Sequence, residues 1–309
     1  MNAVEAVELV WEFMPGRGVC GVTFSVDQGE CFAVLGRNGS GKSTIARLIL
    51  GLEKPHSGTL SVLGCDKKGG APRSCLSRIG AALDASIHWE DLSGRQNAYF
   101  AARMHGMGRD HAERRVRDLF ELADLGDRAS EPVRSYSYGM RRKLSLIQAL
   151  CHDPDLLVLD EPTIGVDAHF LMILAELVRS RSGSGLSTWI SGNDADWIGS
   201  VAHRAAFLDY GKIAVMGTVE ELVKEVSDFQ VVVTRLSKSM NIPRPETRGI
   251  RSFEQSGETI RTVLEPEPVL VPEVMQWIVT HGGEIGSVEV RKSTLKDVFL
   301  LKTGRALEA

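Results

Sequence analysis

The sequence predicts an α/β fold: a mixed core sheet flanked by helices, interrupted by an all-helical segment, and followed by a small α+β C-terminal domain. Three observations lead there. Two short runs, Cys31–Leu35 and Leu156–Leu159, are almost wholly apolar, as strands covered on both faces are. From Gln96 to about Ala129, Val116, Leu119, Phe120 and Ala123 recur at helical spacing among many acids and bases. The composition then changes near Ser227.

The elements follow in order. Val22–Val26 alternates apolar and polar residues, and Cys31–Leu35 is a buried strand. A glycine-rich turn leads into a helix over Thr44–Leu52, with Ile45, Leu48, Ile49 and Leu52 on one face. The helical insert closes near Glu131–Pro132, and Lys143–His152 is a further helix. Strands are expected at Leu156–Leu159, Ser187–Ile190 and Ala205–Asp209, with Tyr210–Gly211 turning into Lys212–Met216. Beyond Ser227, Gln230–Arg235, Thr259–Leu264 and Ser287–Val290 read as strands and Glu273–His281 as a helix. Linkers bearing Pro243, Pro245, Pro266, Pro268 and Pro272 separate them. The expected division is residues 1–226, with a helical subdomain over about 93–152, and residues 227–309.

Composition narrows the function. A chain of 309 residues can bury a sizeable core. Its net charge of −4 argues against a general nucleic-acid binder, which wants a clustered basic surface. No run approaches 18 apolar residues, so no membrane span is expected. The N-terminus carries acids where an export signal would carry bases. The five cysteines show no metal-site spacing and read as free thiols of a reducing cytoplasm.

The chemistry is concentrated in two segments. Gly36-Arg37-Asn38-Gly39-Ser40-Gly41-Lys42-Ser43 has the spacing G-x-x-x-x-G-K-[ST] between an apolar strand and an amphipathic helix. Such a loop wraps backbone N–H groups around phosphates, and the helix N-terminus adds its positive dipole end. Lys42 is expected on the β- and γ-phosphates of ATP, Ser43 on Mg²⁺, and Thr44 towards the α-phosphate. The second segment, Leu156–Leu159 then Asp160-Glu161, drives two carboxylates to the end of a buried strand. Carboxylates there should face a metal or water, because burying them unpaired is costly. Asp160 is expected to hold Mg²⁺ through water, and Glu161 to orient or deprotonate the attacking water.

Further residues give a resemblance. Ser135-Tyr136-Ser137-Tyr138-Gly139-Met140-Arg141-Arg142-Lys143-Leu144 resembles the signature of ATP-binding cassette (ABC) proteins, a branch of the P-loop NTPases. Leu159 to Asp167 resembles their Walker B segment running into the D-loop. The likeness covers about Val4 to Glu225. Tyr-Ser-x-Gly-Met-Arg-Arg, Leu92–Asn97 and the tail Ser293–Leu300 with Thr303-Gly304 are similar to ATPase subunits of drug, antibiotic and polysaccharide exporters with separate ABC-2 type permeases. The resemblance implies an ATPase at the cytoplasmic, inner face of the cell membrane, bound to an integral-membrane permease and to a second ATP-binding subunit, a copy or a paralogue. It implies that Ser137 and Gly139 contact the partner's nucleotide, that Asp167 belongs to the ATP site, and that Phe13, or else Trp11, stacks on adenine. Leu83–Trp89 falls on the family's usual coupling surface, and a regulatory or dimer-stabilising role is the expectation for the C-terminal domain.

Three positions depart from the family pattern. The Gln normally found after Ile79-Gly80 is missing, with Asp84 the nearest polar substitute. Asn193 aligns with the switch His; it can donate an N–H to the γ-phosphate but cannot carry a charge. His203 lies about ten residues too late to replace it and reads as structural. Tyr138 stands where glycine is commoner and would crowd the phosphates unless its ring points away. These changes suggest slow hydrolysis, and the alternative reading is a nucleotide-binding regulatory cassette with little turnover of its own. A cassette acting on DNA or ribosomes is disfavoured by the net charge of −4.

Overall fold

A computed structural model describes residues 2–14, 16–66, 73–84, 88–226, 228–303 and 307. The chain forms two compact units, Met1–Ile213 and Ala214–Ala309. The first opens with β1 (Asn2–Met14), β2 (Arg17–Asp27), β3 (Cys31–Leu35), α1 (Lys42–Leu50), β4 (Ser57–Val62), β5 (Cys65–Asp66), α2 (Arg73–Leu76) and β6 (Ile79–Ala82). Three helices follow: α3 (Gly94–Met104), α4 (Arg109–Leu122) and α5 (Tyr138–Leu150). The chain continues as β7 (Leu156–Asp160), α6 (Ala168–Ser182), β8 (Ser187–Gly192), α7 (Ala195–Val201) and β9 (Arg204–Asp209), and then as β10 (Lys212–Thr218), which runs across the border into the second unit.

The core sheet has the order β10-β9-β3-β8-β7-β6. The pairs β9–β3, β3–β8, β8–β7 and β7–β6 are parallel. Tyr210 and Gly211 both have positive φ, 45° and 75°, as a two-residue hairpin turn requires. That turn reverses the chain into β10 and makes the sheet mixed. Every residue of β3 and of β7 is buried, which explains their unbroken apolar runs. A separate antiparallel sheet, β2-β1-β4-β5, closes over α1. Val4, Leu9, Val22, Phe24 and Leu60 share one core with Ile45, Leu48 and Ile49 of α1.

The helical subdomain holds α3, α4 and α5. Ser93 starts α3 with a capping box, accepting from Gln96 N while Gln96 bonds back. Helix α5 starts five residues before the expected Lys143, because the Ser137 side chain accepts from Met140 N at 3.3 Å and caps it.

The second unit contains α8 (Val219–Lys224), β11 (Gln230–Leu236), β12 (Ile250–Ser256), β13 (Thr259–Leu264), α9 (Leu270–Thr280), β14 (Ile285–Lys292) and α10 (Leu295–Thr303). Its antiparallel sheet runs β12-β13-β11-β14. Leu270, Val274 and Ile278 of α9 pack on Val232, Leu236, Ile260 and Leu264. Leu300 of α10 packs with Val231 and Val263. Pro272, expected in a linker, lies in the first turn of α9, where its missing N–H leaves no helical bond unmade. The border between the units falls thirteen residues before the expected 226/227, a junction whose residue 227 lies outside the described residues. Helix α8 therefore belongs to the second unit, where Glu225 just beyond it pairs with Lys302 of α10 at 2.6 Å. Among the described residues no helix is long and apolar enough to cross a membrane.

Candidate nucleotide site

Residues Gly36–Gly41 form the turn between β3 and α1. Gly41 has φ +108°, and a Cβ there would lie 2.6 Å from the carbonyl oxygen of Gly18, so only glycine fits. The Lys42 Nζ donates to the carbonyls of Gly36 (2.6 Å) and Arg37 (3.2 Å). It also pairs with Glu161 Oε1 at 3.1 Å, and both side chains are buried. Ser40 is buried with its hydroxyl unpartnered. Asn38, Gly39 and Ser43 are exposed, and Arg37 and Thr44 half-buried. The first N–H groups of α1 face this turn without intrahelical partners, the arrangement that favours an anion.

Asp160 and Glu161 end β7, beside β8. Parallel pairing sets Asp160 opposite Ser191, whose hydroxyl donates to Asp160 Oδ1. Glu161 N donates to the Ser191 carbonyl at 3.0 Å. Glu161 adopts φ 50°, a left-handed conformation that a non-glycine residue holds only when its surroundings enforce it. Its Oε2 is buried with no hydrogen-bond partner. A Cβ built on Gly192 would lie 3.5 Å from that same oxygen, so the chain just before Asn193 runs beside the carboxylate. Asn193 is half-buried, and its carbonyl accepts from Ala195 N.

The remaining expected residues lie as follows. Phe13, 61% exposed, stands near the tip of the β1–β2 hairpin, whose Gly18 touches Gly41. Trp11 is packed against the core and stacks on His56 at 5.9 Å, so Phe13 is the ring left open. Ser137 is exposed and caps α5. The Tyr138 ring lies over Gly165, where a Cβ would come within 2.3 Å of it, so the ring is turned onto the loop after Glu161. Asp167 caps α6 by accepting from Phe170 N at 2.9 Å and pairs with Lys143 Nζ at 2.6 Å. The Lys143 hydrogen bond holds the Asp167 carboxyl below its usual range. Within this chain Asp167 is thus tied to the signature helix rather than to the phosphate loop. His203 Nδ1 accepts from Cys31 N at 2.9 Å and has a structural role. Of the expected coupling stretch, Leu83 packs on the core and Trp89 lies 5.4 Å from Phe100, both rings exposed; residues 85–87 lie outside the described residues. So does Gly304 of the tail motif.

Two residues at the site carried no expected role. Ser191 is legible only once β7 and β8 are known to pair in register. Arg142 lies within the quoted signature, but its targets are remote in sequence. Its Nη2 donates to the carbonyls of Asp160 (3.1 Å) and Glu161 (2.7 Å), and its Nη1 to that of Leu83 (2.8 Å).

Together these parts define a P-loop ATPase cassette: a phosphate loop, a buried lysine, and two carboxylates at the C-terminal ends of parallel strands. Residues 19–164 match the family model described as "ABC transporter". A Nod factor export ATP-binding protein I of Rhizobium sp. (strain N33) is 32% identical over 294 residues, covering 94% of this chain and 93% of the relative. The daunorubicin resistance ATP-binding protein DrrA3 of Streptomyces coeruleorubidus is 32% identical over 300 residues, with 93% and 92% covered. Among solved structures, an ATP-binding subunit of an ABC transporter superposes with a TM-score of 0.68 at 26% identity, covering 72% of this chain and 93% of that one. A cassette in its ADP conformation gives 0.62 at 20% identity, with 73% and 94% covered. The chain belongs to the ABC transporter family. It is an ATP-binding, ATP-hydrolysing cassette of the exporter class.

Proposed function

We propose that this cassette binds ATP with Mg²⁺ in the Gly36–Thr44 loop at the cytoplasmic face of a membrane, closes against a second ATP-binding subunit, and passes that closure to a separate permease. The observation that carries the reading is the buried contact of Lys42 with Glu161 at 3.1 Å, which joins the phosphate loop to the carboxylate at the end of β7. The unpartnered buried oxygens of Ser40 and Glu161 support a polar ligand here. Ser43 and Asp160 are hard oxygen donors of the kind Mg²⁺ takes, and they would hold it. Bound there, the ion would neutralise phosphate charge. Lys42 turns its ammonium to the β- and γ-phosphates, while Arg37, Asn38, Gly39, Ser40, Gly41 and Thr44 line the anion. Glu161 accepts the proton of the attacking water. Asn193 donates an amide N–H towards the γ-phosphate, and Phe13 stacks on adenine. Ser137 and Gly139 present the signature to the nucleotide of the second subunit, and Asp167 stands on the same closing face. The two relatives' names speak of Nod factor export and daunorubicin resistance, which supports export of an organic cargo through the permease.

A slow cassette is the second reading. It is favoured by Asp84, whose side chain is 64% exposed in the segment where the family carries its Gln. One experiment addresses both: phosphate release by the purified chain with Mg²⁺ and ATP, beside Glu161→Gln. Turnover that falls at least about tenfold in the variant, roughly 1.4 kcal/mol of barrier, supports the ATPase roles. Silence of both proteins while ATP still binds supports the slow cassette.

A further inference from the structure

Arg142 is a buried cation with an unusual set of partners. It is 3% exposed and lies in the second turn of α5, the helix that begins at the signature. Its guanidinium donates to backbone carbonyls on two neighbouring strands of the core. Nη2 reaches Asp160 (3.1 Å) and Glu161 (2.7 Å) at the end of β7. Nη1 reaches Leu83 (2.8 Å) and Asp84 (3.4 Å) just beyond β6. The nearest carboxylate, Asp84 Oδ1, is 4.0 Å away and belongs to an exposed side chain. Removing a guanidinium from water is costly, and four carbonyl dipoles with one distant anion are the local compensation. A residue needed only for packing would not require a charge here.

The place of these carbonyls gives the arrangement its meaning. Glu161 holds φ 50°, so the direction of its side chain depends on what fixes its peptide groups. Its N–H is fixed by the Ser191 carbonyl at 3.0 Å and its C=O by Arg142 at 2.7 Å. With the backbone so held, Oε1 meets Lys42 at 3.1 Å. The second arm of Arg142 grips the Leu83–Asp84 segment, where this chain lacks the family's Gln.

We propose that Arg142 is a positioning residue for hydrolysis: it clamps the backbone of Glu161 and of Leu83–Asp84 to the signature helix, so that movement of that helix re-aims Glu161. The proposal rests on the assignment of Glu161 to the attacking water. It gives this chain a link between its signature and its own hydrolytic carboxylate that does not pass through the partner's nucleotide. A planar, two-armed donor is required, since lysine offers one point of attachment where arginine spans two strands.

The test compares the full-length chain with Arg142→Met and Arg142→Lys. Steady-state ATP hydrolysis is measured with Mg²⁺, and hydrogen–deuterium exchange is followed by mass spectrometry without nucleotide. In Arg142→Met kcat is expected to fall at least about tenfold with KM for ATP within about twofold, with Arg142→Lys between the two. Exchange is expected to quicken in peptides covering residues 79–84 and 160–164, and to stay at the parent's rate in β3 and in β11–β13. A kcat within twofold of the parent overturns the proposal. So does exchange that rises throughout the first unit, which marks a general packing role, or exchange unchanged at 79–84 and 160–164. If the parent itself hydrolyses no ATP, the role given to Glu161 falls, and the exchange pattern alone decides whether the clamp exists.

Discussion

Two buried carboxylates, Glu161 in the first unit and Asp297 in the second, are satisfied to different degrees. In the first, Lys42, Asp160, Glu161 and Arg142 are buried at or beside the C-terminal ends of β3, β6 and β7. They bond to one another and to backbone, yet Ser40 Oγ, Glu161 Oε2 and Arg142 Nε have no partner. In the second, the one fully buried carboxylate among the described residues, Asp297, accepts from Arg291 Nη1 (2.8 Å) and Nη2 (3.1 Å), from Thr294 N (2.7 Å) and from Thr294 Oγ1 (3.1 Å). An unpartnered buried atom alone does not mark a ligand site, since Thr262 Oγ1 of the second unit is one too; Glu161 differs in lying beside the phosphate loop. Under the proposed function, the open Glu161 oxygen is kept for another molecule.

The largest effect that would break this contrast is expected at Lys42. Lys42→Ala removes the proposed phosphate ligand and strands the Glu161 charge, so phosphate release should fall at least about hundredfold and the first unit should lose about 3 kcal/mol. Adding Glu161→Gln should restore most of that stability but no turnover. Equal melting of the single and double variants would show that the ion pair contributes nothing. The counterpart is Asp297→Ala, which removes an acceptor of four hydrogen bonds. It should destabilise the second unit by about 3 kcal/mol, read as faster exchange in β11–β14, and leave the Kd for ATP within twofold.

A smaller effect tests pH. His152 stacks on His105 with ring centroids 3.6 Å apart, donates from Nε2 to the Ile79 carbonyl at 3.2 Å, and is followed by Asp153, which pairs with Arg115 and Arg181. Burial, with His105 second, pushes the His152 imidazole down from 6.5 to about 4. The unfolded chain therefore takes up this proton before the folded one does. Stability due to neutral His152 is complete above pH 6.5 and is lost as pH falls towards about 4. Denaturant melts should show the parent losing on the order of 1–2 kcal/mol more than His152→Gln across that interval. Parallel curves would sink the assignment. The smallest effect is Phe13→Ala, expected to raise KM for ATP several-fold, about 1 kcal/mol, with kcat unchanged. Trp11→Ala should instead lower stability, since that ring is packed.

Much of the molecule was legible in the sequence for local reasons. Cys31–Leu35 and Thr259–Leu264 are strands with the expected ends, and the loop Gly36–Gly41 stands between strand and helix as its glycines and Lys42 imply. No expectation covered β1, β4, β5, α2, β6, α6, α7, α8, β12 or α10. β1 pairs with β2 through several register shifts, so its apolar residues do not alternate regularly. β12 is an edge strand of mostly half-buried polar residues, with too little apolar signal to stand out. The start of α5 at Tyr138 was misread because its first turn exposes Tyr138 and buries no apolar residue.

The sequence by itself determined the class of fold, the phosphate loop and the two carboxylates, because each is written in adjacent residues whose spacing already dictates the local backbone. Tertiary structure alone decided that Lys42 meets Glu161, that Ser191 holds Asp160, that Asp167 pairs with Lys143, and that Arg142 grips two strands at once. These are contacts between residues 18 to 119 positions apart. They follow from which strands pair and in what register, and the parallel order of β3, β8, β7 and β6 is set by the packing of the whole core rather than by any one segment.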